Sequence, residues 1–215
     1  MATALNLSEV GQTVPANDLA PIRKEWPDAP PARYIFREVS LELNGGLQFF
    51  YRNPGLARPL LQGGIEAVIA ALIAPPPRAV SLMAAPPGPA VRQSPLDLRI
   101  YGLPAYVVLK LDPELNWHFS ADQAAVSLKT ATVGESYGGL RHVLPDGTIR
   151  PEPGPGCSIV YFVARPPAIG PDGSYRHGLN FHVELVQNIS GGSSESSILP
   201  IIIDPDVGYP GGSNT

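Results

Sequence analysis

Proline interrupts this chain so often that no long helix can form. The 215 residues include 26 prolines and 22 glycines. Proline lacks the N–H a helix needs and clashes with the preceding turn, and glycine costs backbone entropy. Coiled coils and helical bundles are excluded on this ground. Collagen is excluded too, because the glycines have no three-residue period. The chain is still 44% hydrophobic, an ordinary fraction for a globular protein, so it can bury a core. Short strands joined by tight turns remain.

The apolar pattern supports strands. Ile35, Val39, Leu41 and Leu43 share one parity, opposite Phe36, Glu38, Ser40 and Glu42. That is the period of a half-buried strand. Asn44-Gly45-Gly46 then supplies residues tolerant of positive φ, and the strand pattern resumes. A hairpin of Tyr34–Leu43 with Leu47–Tyr51 follows. Further on, Ala105–Leu111 reads as a strand with Tyr106, Val108 and Lys110 on one face. Asn116–Ser120 and Ala124–Thr132 are further candidates. Cys157–Ala164 is continuously apolar, as in a central strand buried on both faces. Leu179, Phe181, Val183 and Leu185 alternate with Asn180, His182 and Glu184. Ile198–Ile203, interrupted by Pro200, suits an edge or a bulge.

One helix is expected, over residues 61–74. Ile65, Val68, Ile69, Leu72 and Ile73 recur at helical spacing, and Pro75-Pro76-Pro77 stop it. No further alternation of strands and helices is present, which argues against a doubly wound sheet. The fold class is therefore mainly β: an antiparallel, jelly-roll-like β-sandwich with one short helix and Pro-rich loops. Along the chain, residues 1–33 read as an extended arm and 34–74 as the hairpin plus helix. Residues 75–95 form a Pro-rich linker or loop, 96–210 the sandwich and 211–215 a flexible tail.

Charge narrows the function classes. Fifteen Lys+Arg against 19 Asp+Glu give a net charge of −4, with no basic cluster. Nucleic-acid binding and anionic membrane surfaces are disfavoured. The longest apolar stretch, Ile65–Ala74, is too short to span a bilayer. The first residues lack the basic and apolar regions of a secretory signal, so the expected location is cytoplasmic.

Few residues suggest chemistry. His182 and Glu184 point the same way on their strand, and His118 lies in another. Together they make a candidate two-histidine, one-carboxylate metal site. The competing reading is the solvated face of an amphipathic strand. Asp112, Glu114, Asp204 and Asp206, at two strand exits, offer part of a calcium shell or simply form turns. Gly134-Glu135-Ser136-Tyr137-Gly138 has the Gly-x-Ser-x-Gly form, but no long helix follows, as a nucleophile elbow requires. The lone Cys157 reads as a small buried hydrophobe. Neither common phosphate-cradling glycine motif is present.

With no convincing catalytic set, the sequence reads as a non-enzymatic, self-associating interaction module. Its expected partner is another copy or another protein, with no cofactor, no nucleic acid and no membrane. Trp26 would anchor the arm, and Tyr137 and Tyr175 are candidate ligand contacts. One alternative is a metal-dependent β-barrel enzyme using His118, His182 and Glu184. Another is a carbohydrate-binding sandwich resting on its tyrosines.

Overall fold

The computed structural model describes residues 20–22, 31, 33–43, 47–52, 64–74, 98–100, 103–129, 136–165, 175–188, 196–203 and 206–209. In chain order the first elements are β1 (Ala20–Pro21), β2 (Arg33–Leu43), β3 (Leu47–Arg52) and α1 (Gly64–Ile73). Next come β4 (Leu98–Arg99), β5 (Ala105–Leu111), β6 (Trp117–Phe119), β7 (Val126–Leu128) and β8 (Tyr137–Val143). The last are β9 (Ile149–Arg150), β10 (Ile159–Ala164), β11 (Tyr175–Asn188), β12 (Ser196–Ile203) and β13 (Asp206–Tyr209).

These strands form two sheets, and the fold is mainly β and sandwich-like, as the alternation implies. The six-stranded sheet has the order β3-β2-β5-β10-β8-β9. The seven-stranded sheet runs β1-β7-β11-β13-β4, with β6 and β12 also paired to β11. Inward side chains of both sheets share one core: Val107, Leu109, Val160 and Phe162 from one, Leu179, Phe181 and Val183 from the other.

The hairpin has the register its turn residues imply, with Leu43 opposite Leu47. Its placement departs from an all-antiparallel sandwich. Strand β2 joins the sheet edge-on and runs parallel to β5, with Ile35 opposite Val107. Parallel neighbours need a crossover of a dozen residues or more, and the chain between them contains α1. A second parallel pair joins β13 to β4.

Helix α1 covers the outer face of the six-stranded sheet. Val68, Ile69 and Leu72 pack on Val108, Val143, Ile159 and Tyr161. This explains why every residue of β10 is buried: alternate side chains face the central core and the helix. Gly64 begins the helix at φ +82°, a conformation costly for any side-chain-bearing residue. At the other end the Lys110 ammonium donates to the Leu72 carbonyl at 3.3 Å, a favourable place for a cation. Ile73 ends the helix close to Pro75, whose predecessor disfavours helical geometry. Among the described residues, no helix is long and apolar enough to cross a membrane.

At the exit of β5, Asp112 is a structural joint. Its Oδ2 accepts from Ser40 Oγ at 2.5 Å and its Oδ1 from the Glu114 N–H at 3.0 Å. Its carbonyl accepts from Trp117 Nε1 at 2.9 Å. The carboxylate is engaged in a turn and a cross-strand bond, which fits the turn-forming role. Replacing Asp112 with Ala strands the buried Ser40 hydroxyl. We expect a loss of about 1–3 kcal/mol of stability, read as a lower urea midpoint with unchanged slope. Asp204 lies outside the described residues.

Candidate functional site

Strand β11 brings the sequence's polar residues to one surface. Its inward parity is apolar, so Asn180, His182 and Glu184 project from the opposite face of the seven-stranded sheet. Neighbouring strands add to them. His118 of β6 pairs directly with Glu184, and Ser127 of β7 pairs directly with Asn180. Ser120 follows β6 on the same side. A solvent face would leave such residues wet, yet Asn180 and His182 are each only 4% exposed. Ser120 and Ser127 are buried as well. Desolvated polar side chains are costly unless paired, so their arrangement matters.

Two linked groups result. In the first, Ser120 Oγ donates to Glu184 Oε1 at 2.7 Å, and Glu184 Oε2 lies 3.4 Å from His118 Nδ1. The same Nδ1 lies 2.9 Å from the Phe119 carbonyl, which can only accept. Nδ1 therefore carries the hydrogen, and Nε2 is left with a lone pair. No partner for that Nε2 occurs among the described residues. The His118 side chain is 19% exposed, the most accessible titratable group of the set. In the second group, His182 Nε2 is 2.8 Å from Ser127 Oγ.

The metal reading does not survive this geometry. Among the described residues, no group of three or more His, Cys, Asp or Glu is arranged to hold a metal. Although His118 meets Glu184, the His182 ring turns to Ser127.

The other sequence candidates are placed as follows. Ser136 leads directly into strand β8, so the Gly-x-Ser-x-Gly segment is no nucleophile elbow. Tyr137 is wholly buried, its ring 6.1 Å from that of Phe162, and presents nothing to a ligand. Trp26 lies outside the described residues, as does the side chain of Tyr175, whose backbone starts β11. Cys157 is buried, with Sγ donating to the Ile159 carbonyl, and burial pushes its thiol up to about 11. It is structural. Sequence reasoning assigns no role to Ser120, Ser127 or Asn180. Their one signal, shared parity with His182 and His118, is the signal of a solvated face.

A third histidine is structural. Fully buried His142 accepts the Ala125 N–H at Nε2, 3.1 Å, and donates from Nδ1 to the Pro151 carbonyl, 2.9 Å. Both acceptor and donor roles require the neutral ring. Burial lowers its pKa, and that of His182, below the ordinary 6.5. Each therefore binds a proton less readily folded than unfolded. Stability is full above about pH 6.5 and falls below it, because the unfolded chain takes up protons first. The fall levels off once the folded-state values are passed. We expect the urea midpoint to drop between about pH 7 and pH 5, and His142→Gln to reduce that slope. A flat midpoint across this range would contradict the assignment.

Residues 62–212, well over half of the chain, match a family described as a predicted novel nucleotide synthetase, and the chain belongs to that family. No curated protein matches the chain. The family match corrects the reading of a non-enzymatic, protein-binding module. That reading rested on the absence of a local catalytic motif, which a family match over residues 62–212 does not require. The match covers parts of both outer faces, Tyr106 and Tyr161 beside α1 included. His118, Ser120, Ser127, Asn180, His182 and Glu184 all lie within it. On the opposite outer face, beside α1, Tyr34 stacks on Phe36 and Tyr106, at 6.0 and 5.5 Å. Tyr34 and Phe36 precede the matched residues.

Proposed function

We propose that this protein is a nucleotide-synthesising enzyme whose proton transfer runs through His118. The observation that carries the reading is the family match over residues 62–212, which encloses the whole polar face of β11 and its neighbours. The chemistry available there fits. Formation of a nucleotide from a triphosphate joins an attacking hydroxyl oxygen to phosphorus as the P–O bond to the departing phosphate or pyrophosphate breaks, and the hydroxyl proton must pass to a base, for which an imidazole nitrogen lone pair is suited. His118 offers Nε2 for this. The Phe119 carbonyl and the Glu184 carboxylate fix the ring through Nδ1. Glu184 also lies where it attracts the positive charge that appears when Nε2 is protonated, as the carboxylate of a catalytic triad does. Ser120, donating to the other oxygen of Glu184, keeps that carboxylate in place.

The test is direct. Purified protein is incubated with ribonucleoside triphosphates and Mg²⁺, singly and in pairs, and products are resolved by chromatography and mass spectrometry. The expected result is a new nucleotide that heat-denatured protein does not make. Unchanged substrates across the whole set, and across nucleosides offered with phosphate donors, would overturn the reading.

A further inference from the structure

The second polar group of the face has a different character from the first. Asn180 is 4% exposed, yet its side-chain amide makes no hydrogen bond among the described residues. Buried amides are rarely left so, because an unmet donor or acceptor costs about 1–3 kcal/mol. The amide is not wholly sealed, since its atoms are not among the completely enclosed, unmet polar atoms of the described residues. Directly across from it stands Ser127, whose hydroxyl meets His182.

We propose that Asn180, Ser127 and His182 form the subsite that recognises the hydrogen-bonding edge of a nucleobase. This rests on the reading of the protein as a nucleotide synthetase and says where its substrate's base lies. An amide presents a donor and an acceptor side by side, the pattern that pairs with a base edge. The remaining groups are neutral polar ones. Burial disfavours the charged form of His182, so the subsite offers hydrogen bonds rather than positive charge. That suits an uncharged base better than a phosphate. Lys129 lays its stem across Gly178, one same-face position before Asn180, where a Cβ would come within 2.9 Å of its Cε. Asn180 and Glu184 are separated by four strand positions, roughly 13 Å. A nucleotide with its base at Asn180 spans that gap, bringing its reacting end to His118.

The experiment uses uncharged nucleosides, which lack the phosphates on which synthesis depends. The full-length protein is titrated calorimetrically with adenosine, guanosine, cytidine and uridine, and separately with inorganic tripolyphosphate. At least one nucleoside is expected to bind, and Asn180→Leu to weaken it by about 10- to 100-fold. Ser127→Ala, a smaller change, is expected to weaken the same nucleoside about 5- to 10-fold. Tripolyphosphate binding should be the same in both variants and the wild type. A thermal midpoint within a few degrees of wild type shows that each variant folds, and Ser127→Ala carries the test alone should the leucine fail to fold. The proposal is overturned if no nucleoside binds, if both variants bind like the wild type, or if the variants lose tripolyphosphate and not nucleoside. Nucleoside binding that depends on Asn180 in a protein making no nucleotide would sink the synthetase reading and leave the subsite standing.

Discussion

Replacing His118 with Gln is expected to slow nucleotide synthesis by about 10²- to 10⁴-fold, the usual contribution of a positioned general base. The thermal midpoint should move little, because glutamine has nearly the volume of the histidine it replaces, whose side chain is 19% exposed. Glutamine keeps a donor for the Phe119 carbonyl but cannot take a proton at the position of Nε2. The loss should therefore fall on kcat, with KM little changed. Glu184 acts on the reaction through His118 and is a positioning residue. Glu184→Gln keeps its shape and its bond to Ser120 while removing the charge. Its expected effect is smaller than that of His118→Gln and falls on kcat, with KM little changed. A purely structural glutamate would lower the amount of folded enzyme and leave kcat per folded molecule where it was. Equal rates for wild type and His118→Gln would remove His118 from the chemistry.

The largest effect on stability is expected at Phe162. Its side chain is fully buried at the centre of β10, between β5 and β8, and packs on the ring of Tyr137. Truncation to Ala removes most of an aromatic side chain from a core that close-packed neighbours cannot refill. The expected cost is about 3–5 kcal/mol, a large share of the stability of any single domain. Urea unfolding measures it directly. The control is Ile73→Ser at the exposed end of α1, where the side chain is 38% exposed. There the change should stay within about 0.5 kcal/mol. Comparable losses for the two variants would mean that the sheets do not share the core described here.

Much of the fold was legible because strand periodicity is a local property. The hairpin could be read from alternation plus Asn44-Gly45-Gly46. The helix followed from the spacing of Val68, Ile69 and Leu72, and the doubly buried strand from the unbroken apolar run into Ala164. What could not be read was long-range: the parallel seating of β2 beside β5 depends on where a connection of many residues returns. The site was half legible. His118, His182 and Glu184 stand on one face, as their parity implies. Their surroundings could not be read, since a polar parity looks the same whether it faces water or is enclosed. Only the burial of Asn180 and His182 separates the two cases, and burial is decided by other parts of the chain. Ser120 and Ser127 carry no signal of their own. Serines in and beside short strands are common, and only register places one beside Glu184 and the other beside His182.

The double duty of β11 limits how this protein can diversify. The strand carries core residues on one parity and Asn180, His182 and Glu184 on the other, and it pairs with β6, β7, β12 and β13. A single inserted or deleted residue within it would exchange the two sets, turning Phe181 and Val183 outward and the polar trio into the core. Fold and site would be lost in one event. Relatives that acquire a new substrate preference are therefore expected to do so by substitution at fixed positions on this strand, or through the loops that border it. Differences in strand length should collect elsewhere, at edge strands such as β3 and β9, where nothing on the opposite parity depends on the count.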